Sequence, residues 1–202
     1  MPRHPKHLPA EERRAATVDA FIELAAEGNP GDITTTQLAQ RMGVTQGALF
    51  RHFPGKEAIL EAVMQAIATR LLARTERAAA AAPSAAAALE AIFHAHVAFI
   101  AEHPGIPRML FGELQHNKAT APKRLAQALM GRYGQQLREL LERGKAQGEM
   151  APDLDCAAAA ILFIGTIQGL VMQSLLADDL ARLESDAPGV FAIFLRGIGG
   201  NA

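Results

Sequence analysis

The chain has 202 residues, half of them hydrophobic, and carries a formal net charge of −1. This length allows one large domain, or one medium domain with a smaller partner, and the near-zero charge excludes a globally basic surface. Any nucleic-acid binding must therefore use a small local surface. The single cysteine, Cys156, excludes an internal disulfide bond. That cysteine count and residues 1–7, which lack the apolar run of a secretion signal, favour a cytoplasmic location.

Helix-forming residues dominate the chain, with one Tyr and no Trp, and no stretch shows the alternation of a strand. The apolar periodicity and the breakers between segments predict an all-α fold with about nine helices. We expect them at about residues 10–27, 34–42, 46–52, 56–80, 84–103, 107–116, 122–146, 154–176 and 187–198. Asp153 is the expected cap of the eighth helix, and Asp186 or Pro188 is expected to open the ninth.

The second and third predicted helices carry strong boundary signals. Thr34 and Gln37 have the spacing of a capping box, Gly43 stands where a left-handed residue would end the helix, and Thr45 caps the next one. Two short helices joined by a turn that contains glycine predict a helix-turn-helix. A miniature core is expected from Leu38, Ala39, Val44, Leu49 and Phe53. The same geometry also occurs as plain helical packing, so the turn alone leaves DNA binding open.

The second helix of this motif would read DNA. Gln46 can pair with both hydrogen-bonding groups of an adenine edge, Ala48 can contact a thymine methyl, and Gly47 allows close approach to the groove. Natural phosphate contacts are Thr34, Thr35, Thr45, Arg51, His52 and Lys56.

A longer run of residues favours DNA binding over plain packing. Residues 33–60 resemble the signature of the TetR family of repressors, and the resemblance covers roughly residues 15–64. The matching positions are Thr34, Leu38, Ala39, Gly43, Val44, Thr45, Gly47, Leu49, His52, Phe53, Lys56, Glu57 and Leu60. The resemblance implies DNA contacts by Thr34, Thr45, Gln46, Gly47, Ala48, Phe50, Arg51, His52 and Lys56. Two positions depart from the family pattern: Phe50 replaces the usual Tyr, and Ala48 replaces a common Thr or Asn.

The resemblance also implies a division of labour along the chain. Residues 1–56 would form the DNA-binding domain, and residues 57–202 a larger helical bundle for ligand sensing and dimerisation. Such a protein binds a palindromic operator as a dimer, and the resemblance favours repression relieved by a small effector, without a cofactor. A DNA-binding protein with an interaction role and no small-molecule ligand is one alternative, and an enzyme is the other. However, the sequence shows no Gly-rich phosphate loop and no recognisable catalytic triad, and an enzyme would leave the helix-turn-helix signature unexplained.

The segment from Cys156 to Ala177 contains no charged residue. A transmembrane helix is one interpretation, but polar residues within it and aspartates on both flanks argue against a membrane. A helix that is apolar on all sides must be covered on all sides, and one chain of this size covers one face well. We therefore expect a homodimer through about residues 154–176 and 187–198, with packing inside one chain as the alternative.

The C-terminal helices also supply candidates for an effector pocket, although each could be an ordinary core residue. The candidates are Phe93, His96, Val97, Ile100, Met109, Leu110, Leu114, Tyr133, Gln136, Leu137, Phe163, Ile167 and Gln168. No buried charge stands out among them, so a small, largely apolar effector is expected. Histidines 94, 96, 103 and 116 suggest a metal, but no Cys or carboxylate cluster completes a site, and we expect none.

Overall fold

The computed structural model describes residues 9–115 and 117–199, and within them it contains nine α-helices and no strand. The helices are α1 (Ala10–Glu27), α2 (Thr35–Arg41), α3 (Gln46–Phe50), α4 (Lys56–Ala80), α5 (Ala85–Glu102), α6 (Gly105–Leu114), α7 (Ala121–Ala146), α8 (Cys156–Leu176) and α9 (Ala181–Gly197). A 3-10 turn at Pro30–Asp32 follows α1. The predicted all-α fold is confirmed.

The chain forms two compact units. The first unit includes the described residues of Met1–Thr69 and His103–Gln127, and the second includes those of Arg70–Glu102 and Ala128–Ala202. The division thus falls within α4 and α7. The domain boundary that we placed after residue 56 stays a prediction about function.

In the first unit, α1 packs against both α2 and α6. Phe21 is 1% exposed and Ala25 is 3% exposed on the buried face of α1. Gly105, the first residue of α6, lies so close to Ala25 that a Cβ at this position would overlap the Ala25 carbonyl. The close contact between these two helices therefore depends on glycine at residue 105, since any other residue would push them apart.

The second unit is built around an aromatic cluster. Helix α9 packs against both α5 and α8. The ring of Phe93 lies 5.4 Å from that of Phe163 and 5.2 Å from that of Phe191, and Phe194 lies 5.4 Å from Phe163. These edge-on and tilted arrangements are the favourable geometries for aromatic pairs. The phenylalanines of three helices thus form the centre of this core.

The start of α5 is capped by a residue that is distant in sequence. The Glu149 carboxylate accepts a hydrogen bond from the Ala86 amide at 2.9 Å. Backbone hydrogen bonds from the first turn of α5, chiefly that of Ala86, lower the pKa of Glu149. The carboxylate satisfies amides that have no partner within the helix and lies at the positive end of its dipole.

Two of the predicted helix starts are wrong. Asp155, not Asp153, caps α8, because its Oδ1 atom accepts hydrogen bonds from the amides of Ala157 and Ala158, both at 3.0 Å. Helix α9 begins at Ala181 and contains Pro188 in its interior, so neither Asp186 nor Pro188 opens it.

The early start of α9 has a packing explanation. Proline cannot donate the helical hydrogen bond to the residue four positions before it, which normally favours a break. However, Leu183 and Ala187 are both fully buried on one face of α9, whereas Pro188 is exposed. Burial of these two side chains, one helical turn apart, keeps the first turns helical despite the missing bond.

Within the described residues, α5 and α8 are each long and apolar enough to cross a membrane, by length and composition alone. Half of the tested α5 segment is buried in the fold, against 39% of the α8 segment. Burial in the core therefore explains why α5 is apolar. Helix α8 keeps an apolar face that the described residues do not cover.

Candidate nucleic-acid interface

Hydrogen bonds from side chains define the starts of both helices of the helix-turn-helix. The Thr34 amide donates to Gln37 Oε1 at 2.8 Å and the Gln37 amide donates to Thr34 Oγ1 at 3.2 Å, so the predicted capping box is confirmed. Thr45 Oγ1 accepts the Ala48 amide at 3.2 Å, as expected for the cap of α3. Gly43 has a φ of +64°, which confirms the left-handed turn that the sequence predicts.

The core beneath the turn also forms as the sequence predicts. Leu38, Leu49 and Phe53 are each at most 2% exposed, and Ala39 is 3% exposed. Val44 is half-buried. Because α2 and α3 share these contacts, the outer side of α3 is held in a defined orientation.

Arg14 is a further contributor that sequence reasoning did not identify. Its guanidinium carbon lies 4.4 Å from the centre of the Phe53 ring, and its NH1 atom donates to the His52 carbonyl at 2.7 Å. The cation-π contact and the hydrogen bond join α1 to the segment that follows α3. An exposed arginine on α1, next to Arg13, gives no sequence signal for this role.

Most of the predicted base-reading residues are exposed and therefore accessible to DNA. Gln46, Gly47 and Arg51 are exposed, and Phe50 is 43% exposed. Helix α3 ends at Phe50, so Arg51 and His52 lie in the turn that follows rather than on the helix.

Ala48 and His52 are only half-buried and face a small cleft of about 30 Å³ between α1 and the turn. The side chains that share this cleft include Arg13, Thr17 and Met42. The two residues therefore lie at the inner edge of the predicted surface. Their DNA contacts stay predictions, as do those of the other site residues.

Several of the predicted DNA-contacting side chains are hydrogen-bonded within the protein, among them Gln46 and Lys56. Gln46 Nε2 donates to Thr35 Oγ1 at 2.7 Å, and Lys56 Nζ donates to the Gly31 carbonyl at 2.8 Å. Within the described part of the chain, the Arg51 guanidinium has no such partner. The surface thus combines side chains that are already oriented with at least one that is not.

In the second unit, three of the predicted effector contacts line one open groove of about 310 Å³. These are Tyr133, Gln136 and Leu137 on α7. The other residues of the groove are Thr75, Glu76, Ala79, Ala80, Ile92, Glu139, Leu140 and Arg143. Gln136 Nε2 donates to Glu76 Oε1 at 2.7 Å across the groove between α7 and α4. The helical spacing of residues 133, 137, 140 and 143 is visible in the sequence, but the contribution of α4 is not.

The remaining effector candidates are distributed differently. Phe93, His96, Val97, Ile100, Phe163 and Ile167 are buried in the second unit. Gln168 of the same unit is exposed. Met109, Leu110 and Leu114 belong to the first unit, where Met109 is buried, Leu110 is half-buried and Leu114 is 48% exposed.

A buried polar pair lies in the second unit. His96 Nδ1 and the Tyr133 hydroxyl are 3.2 Å apart. Burial lowers the pKa of His96 to about 4 and raises that of Tyr133 well above its usual range. Both side chains are therefore neutral near pH 7, and His96 Nδ1 and the Tyr133 hydroxyl satisfy each other.

Among the described residues, the histidines that we considered as metal ligands do not assemble into a site. The described residues contain no group of three or more His, Cys, Asp or Glu side chains that could hold a metal ion. His116 lies outside the described residues. Cys156 is buried, and the burial raises the pKa of its thiol, which disfavours the reactive thiolate.

The outer face of α8 is the main exposed apolar surface that the second unit presents. Ile161 and Leu176 are each 74% exposed, Leu162 is 53% exposed and Met172 is 40% exposed. Ile193 on the adjacent helix α9 is 64% exposed. Gly165 and Gly169 lie between them on α8, where added Cβ atoms would meet nothing within 4 Å. Partner proteins commonly cover contiguous apolar faces of this kind.

Comparisons with known proteins agree with this architecture. Residues 18–63 match the family model described as bacterial regulatory proteins of the tetR family, and residues 109–187 match the tetracyclin repressor-like C-terminal domain. The chain is 31% identical over 161 residues to the nucleoid occlusion factor SlmA of Vibrio vulnificus, covering 78% of this chain and 81% of that protein.

Solved structures show the same fold at low sequence identity. The fatty acid degradation regulator FadR from Bacillus halodurans superposes with a TM-score of 0.82 at 21% identity, covering 97% of this chain and all of that one. FadR from Bacillus subtilis in complex with stearoyl-CoA gives a TM-score of 0.79 at 22% identity, covering 91% of this chain and 98% of that one. With its helix-turn-helix and both family models matched, the chain belongs to the TetR family of bacterial regulatory proteins and is a DNA-binding transcriptional regulator, not an enzyme.

Proposed function

We propose that this regulator is a cytoplasmic repressor that binds a palindromic operator as a homodimer and is released by a small, largely apolar effector. The observation that carries the DNA-binding part is the two-sided character of α3. Leu49 is 2% exposed and anchors the helix, while Gln46, Gly47 and Phe50 are exposed. A helix that is fixed on one side and accessible on the other suits insertion into a major groove.

The homodimer is supported by the apolar outer faces of α8 and α9. A second copy of the chain would cover the same side chains on both partners, which gives a self-complementary contact with two-fold symmetry. Two-fold symmetry in turn fits a palindromic site, in which the two α3 helices enter major grooves about 34 Å apart. The proposal therefore connects the exposed face of α8 with the inverted repeat expected in the operator.

A largely apolar effector is supported by the lining of the second unit. Its buried polar pair, His96 and Tyr133, is neutral, and the groove beside Tyr133 presents apolar side chains such as Ile92 and Leu140 alongside the charged Glu76, Glu139 and Arg143. The stearoyl-CoA bound to the FadR structure from Bacillus subtilis supports a ligand with a long apolar part. Long-chain acyl thioesters are therefore the first compounds to test.

A second candidate is a DNA-binding protein that acts through a protein partner and has no small-molecule effector. The similarity to the nucleoid occlusion factor SlmA favours this candidate. So does the filled aromatic core, in which Phe93 and Phe163 are fully buried. Release of bound DNA by an acyl thioester would favour the first candidate, and saturating ligand without release would favour the second.

The DNA-binding part is tested by selection from random duplexes with the purified protein. Titrations of the enriched site would follow over a salt series. We expect an inverted repeat, strong salt dependence, and a salt slope smaller by about one in an Arg51→Ala variant, as for loss of one phosphate contact. Arg132→Ala is the matched control, because Arg132 is an exposed arginine of the second unit. Selection without any enriched site, or equal effects of the two variants, would contradict the proposal.

A further inference from the structure

The hydrogen bond between Gln46 and Thr35 joins two helices of the helix-turn-helix at their first residues. Thr35 is the first residue of α2 and Gln46 is the first residue of α3. Gln46 Nε2 donates to Thr35 Oγ1 at 2.7 Å, across a separation of eleven positions in the sequence. A glutamine that would read a base is thus attached to a neighbouring helix rather than extended freely from the surface.

Both ends of this hydrogen bond are held in place by the backbone. The residue before Thr35 forms the capping box with Gln37, and the residue before Gln46 accepts the Ala48 amide. Leu38 and Leu49 bury the inner sides of the two helices. Thr35 is also β-branched, which restricts its χ1 angle. The Thr35 hydroxyl therefore occupies a defined position relative to the start of α3.

The remaining hydrogen-bonding groups match an adenine edge. A glutamine amide has two N–H donors and one carbonyl acceptor, so the bond to Thr35 leaves one donor and Oε1 available. Adenine presents an acceptor, N7, beside a donor, the N6 amino group, in the major groove. The Thr35 hydroxyl accepts the bond from Gln46 and keeps its own proton, which can be donated to a phosphate oxygen.

We infer that Thr35 is a positioning residue for base readout: its hydroxyl orients the Gln46 amide toward adenine and links that contact to the DNA backbone. The inference rests on the proposed function, in which Gln46 lies in the major groove. A glutamine without this support samples several rotamers and loses that freedom on binding. Removal of the Thr35 hydroxyl should therefore weaken discrimination between bases more than it weakens binding as such.

The size of the effect can be bounded. One good bidentate contact is worth about 5- to 150-fold in discrimination against a wrong base. Loss of the orientation of one long side chain should remove about 2- to 10-fold of that preference. Loss of a phosphate contact alone would lower the affinity for all sequences equally and leave the preference unchanged.

The test uses Thr35→Val, which removes the hydroxyl with little change of shape, beside Thr35→Ser, which retains it. Thr36→Val is the matched control, since Thr36 is the next residue on α2, is exposed and has no hydrogen-bond partner for its side chain among the described residues. Selection with the wild-type protein gives the site, and Gln46→Ala identifies the base pair that Gln46 reads. Affinities are then measured for the preferred site and for its three substitutions at that base pair.

We expect Thr35→Val to reduce the preference by about 2- to 10-fold at that base pair only, with the wild-type preference kept by Thr35→Ser and Thr36→Val. Thr35→Val should cause no further loss of preference in a Gln46→Ala background, since the two residues act as one unit. Thermal unfolding verifies that each variant is folded.

Three results would overturn the inference while leaving the proposed function in place. These are a uniform loss of affinity in Thr35→Val, an unchanged or increased preference, and a Gln46→Ala variant that keeps the wild-type preference at every base pair. Absence of any enriched site for the wild-type protein would instead overturn the proposed function and the inference together.

Discussion

The apolar outer face of α8 allows a quantitative prediction about assembly. Ile161 is 74% exposed in the single chain, so truncation to alanine should cost the folded monomer little. If this face forms the homodimer, the same truncation removes apolar contacts from both copies at once. The Ile161→Ala variant should therefore dimerise much more weakly than the wild-type protein.

The magnitude follows from the exposed fraction of this side chain. Isoleucine has three side-chain carbons more than alanine, and each buried carbon contributes about 0.8 kcal/mol. With 74% of the residue available for burial, the loss is about 1.8 kcal/mol per copy and about 3.5 kcal/mol per dimer. This corresponds to an increase of about 400-fold in the dimer Kd.

Sedimentation velocity over a dilution series measures this change directly. Leu114→Ala is the matched control: it also removes three carbons from an exposed apolar residue, which is 48% exposed, but on α6 of the first unit. We expect the control to keep the wild-type Kd. A monomeric wild-type protein, an unchanged Kd in Ile161→Ala, or an equal loss in Leu114→Ala would refute the assignment of α8 to the dimer interface.

Three further predictions concern stability and can be checked by urea unfolding. Gly105→Ala should destabilise the protein by about 3 kcal/mol, because the added Cβ overlaps the backbone of Ala25. Gly112→Ala in the same helix has open space around it and should stabilise the protein by about 0.5–1 kcal/mol. Equal effects of the two variants would contradict this prediction. Burial holds the pKa of His96 at about 4, below its ordinary 6.5, so the unfolded chain gains a proton first as pH falls. The stability advantage of wild type over His96→Asn should shrink by about 3 kcal/mol from pH 7 to pH 4, and a constant difference would argue against a neutral buried histidine. Glu149→Gln should lower the free energy of unfolding by about 1 kcal/mol at pH 7. Because the native pKa of Glu149 is lowered, this loss of stability should disappear as pH falls through that pKa. A loss that persists in acid would contradict the capping role.

Sequence reasoning succeeded where the interactions that define a boundary are local. The capping box of Thr34 and Gln37, the cap at Thr45 and the left-handed Gly43 all act within a few residues, and the structure contains each of them. The start of α9 is different, because burial of Leu183 and its neighbours outweighs an interior proline. Burial depends on which helices meet, and the local sequence does not contain that information.

In the candidate site, too, sequence reasoning succeeded for features within one helix and failed for contacts between helices. The fixed and exposed sides of α3 follow from its apolar spacing, so Leu49 was correctly expected inside and Gln46 outside. The groove beside Tyr133 could be predicted only in part, because Glu76 and Thr75 reach it from another helix. Residues of one helix share a face at a predictable spacing, whereas the pairing of two faces requires the tertiary fold.

The hydrogen bonds at the proposed DNA-binding surface indicate how it balances specificity against general affinity. Lys56 donates one hydrogen bond to the Gly31 carbonyl and, as an ammonium group with three donors, keeps two for a phosphate. We proposed that Gln46 reads a base, and its hydrogen bond to Thr35 orders this side chain in advance. The Arg51 guanidinium has no partner in the described part of the chain, so ordering it on DNA would cost about 0.5–1.5 kcal/mol. Such mobility is tolerable in a phosphate contact, which carries no sequence information, but in a base contact it would reduce the preference for the operator.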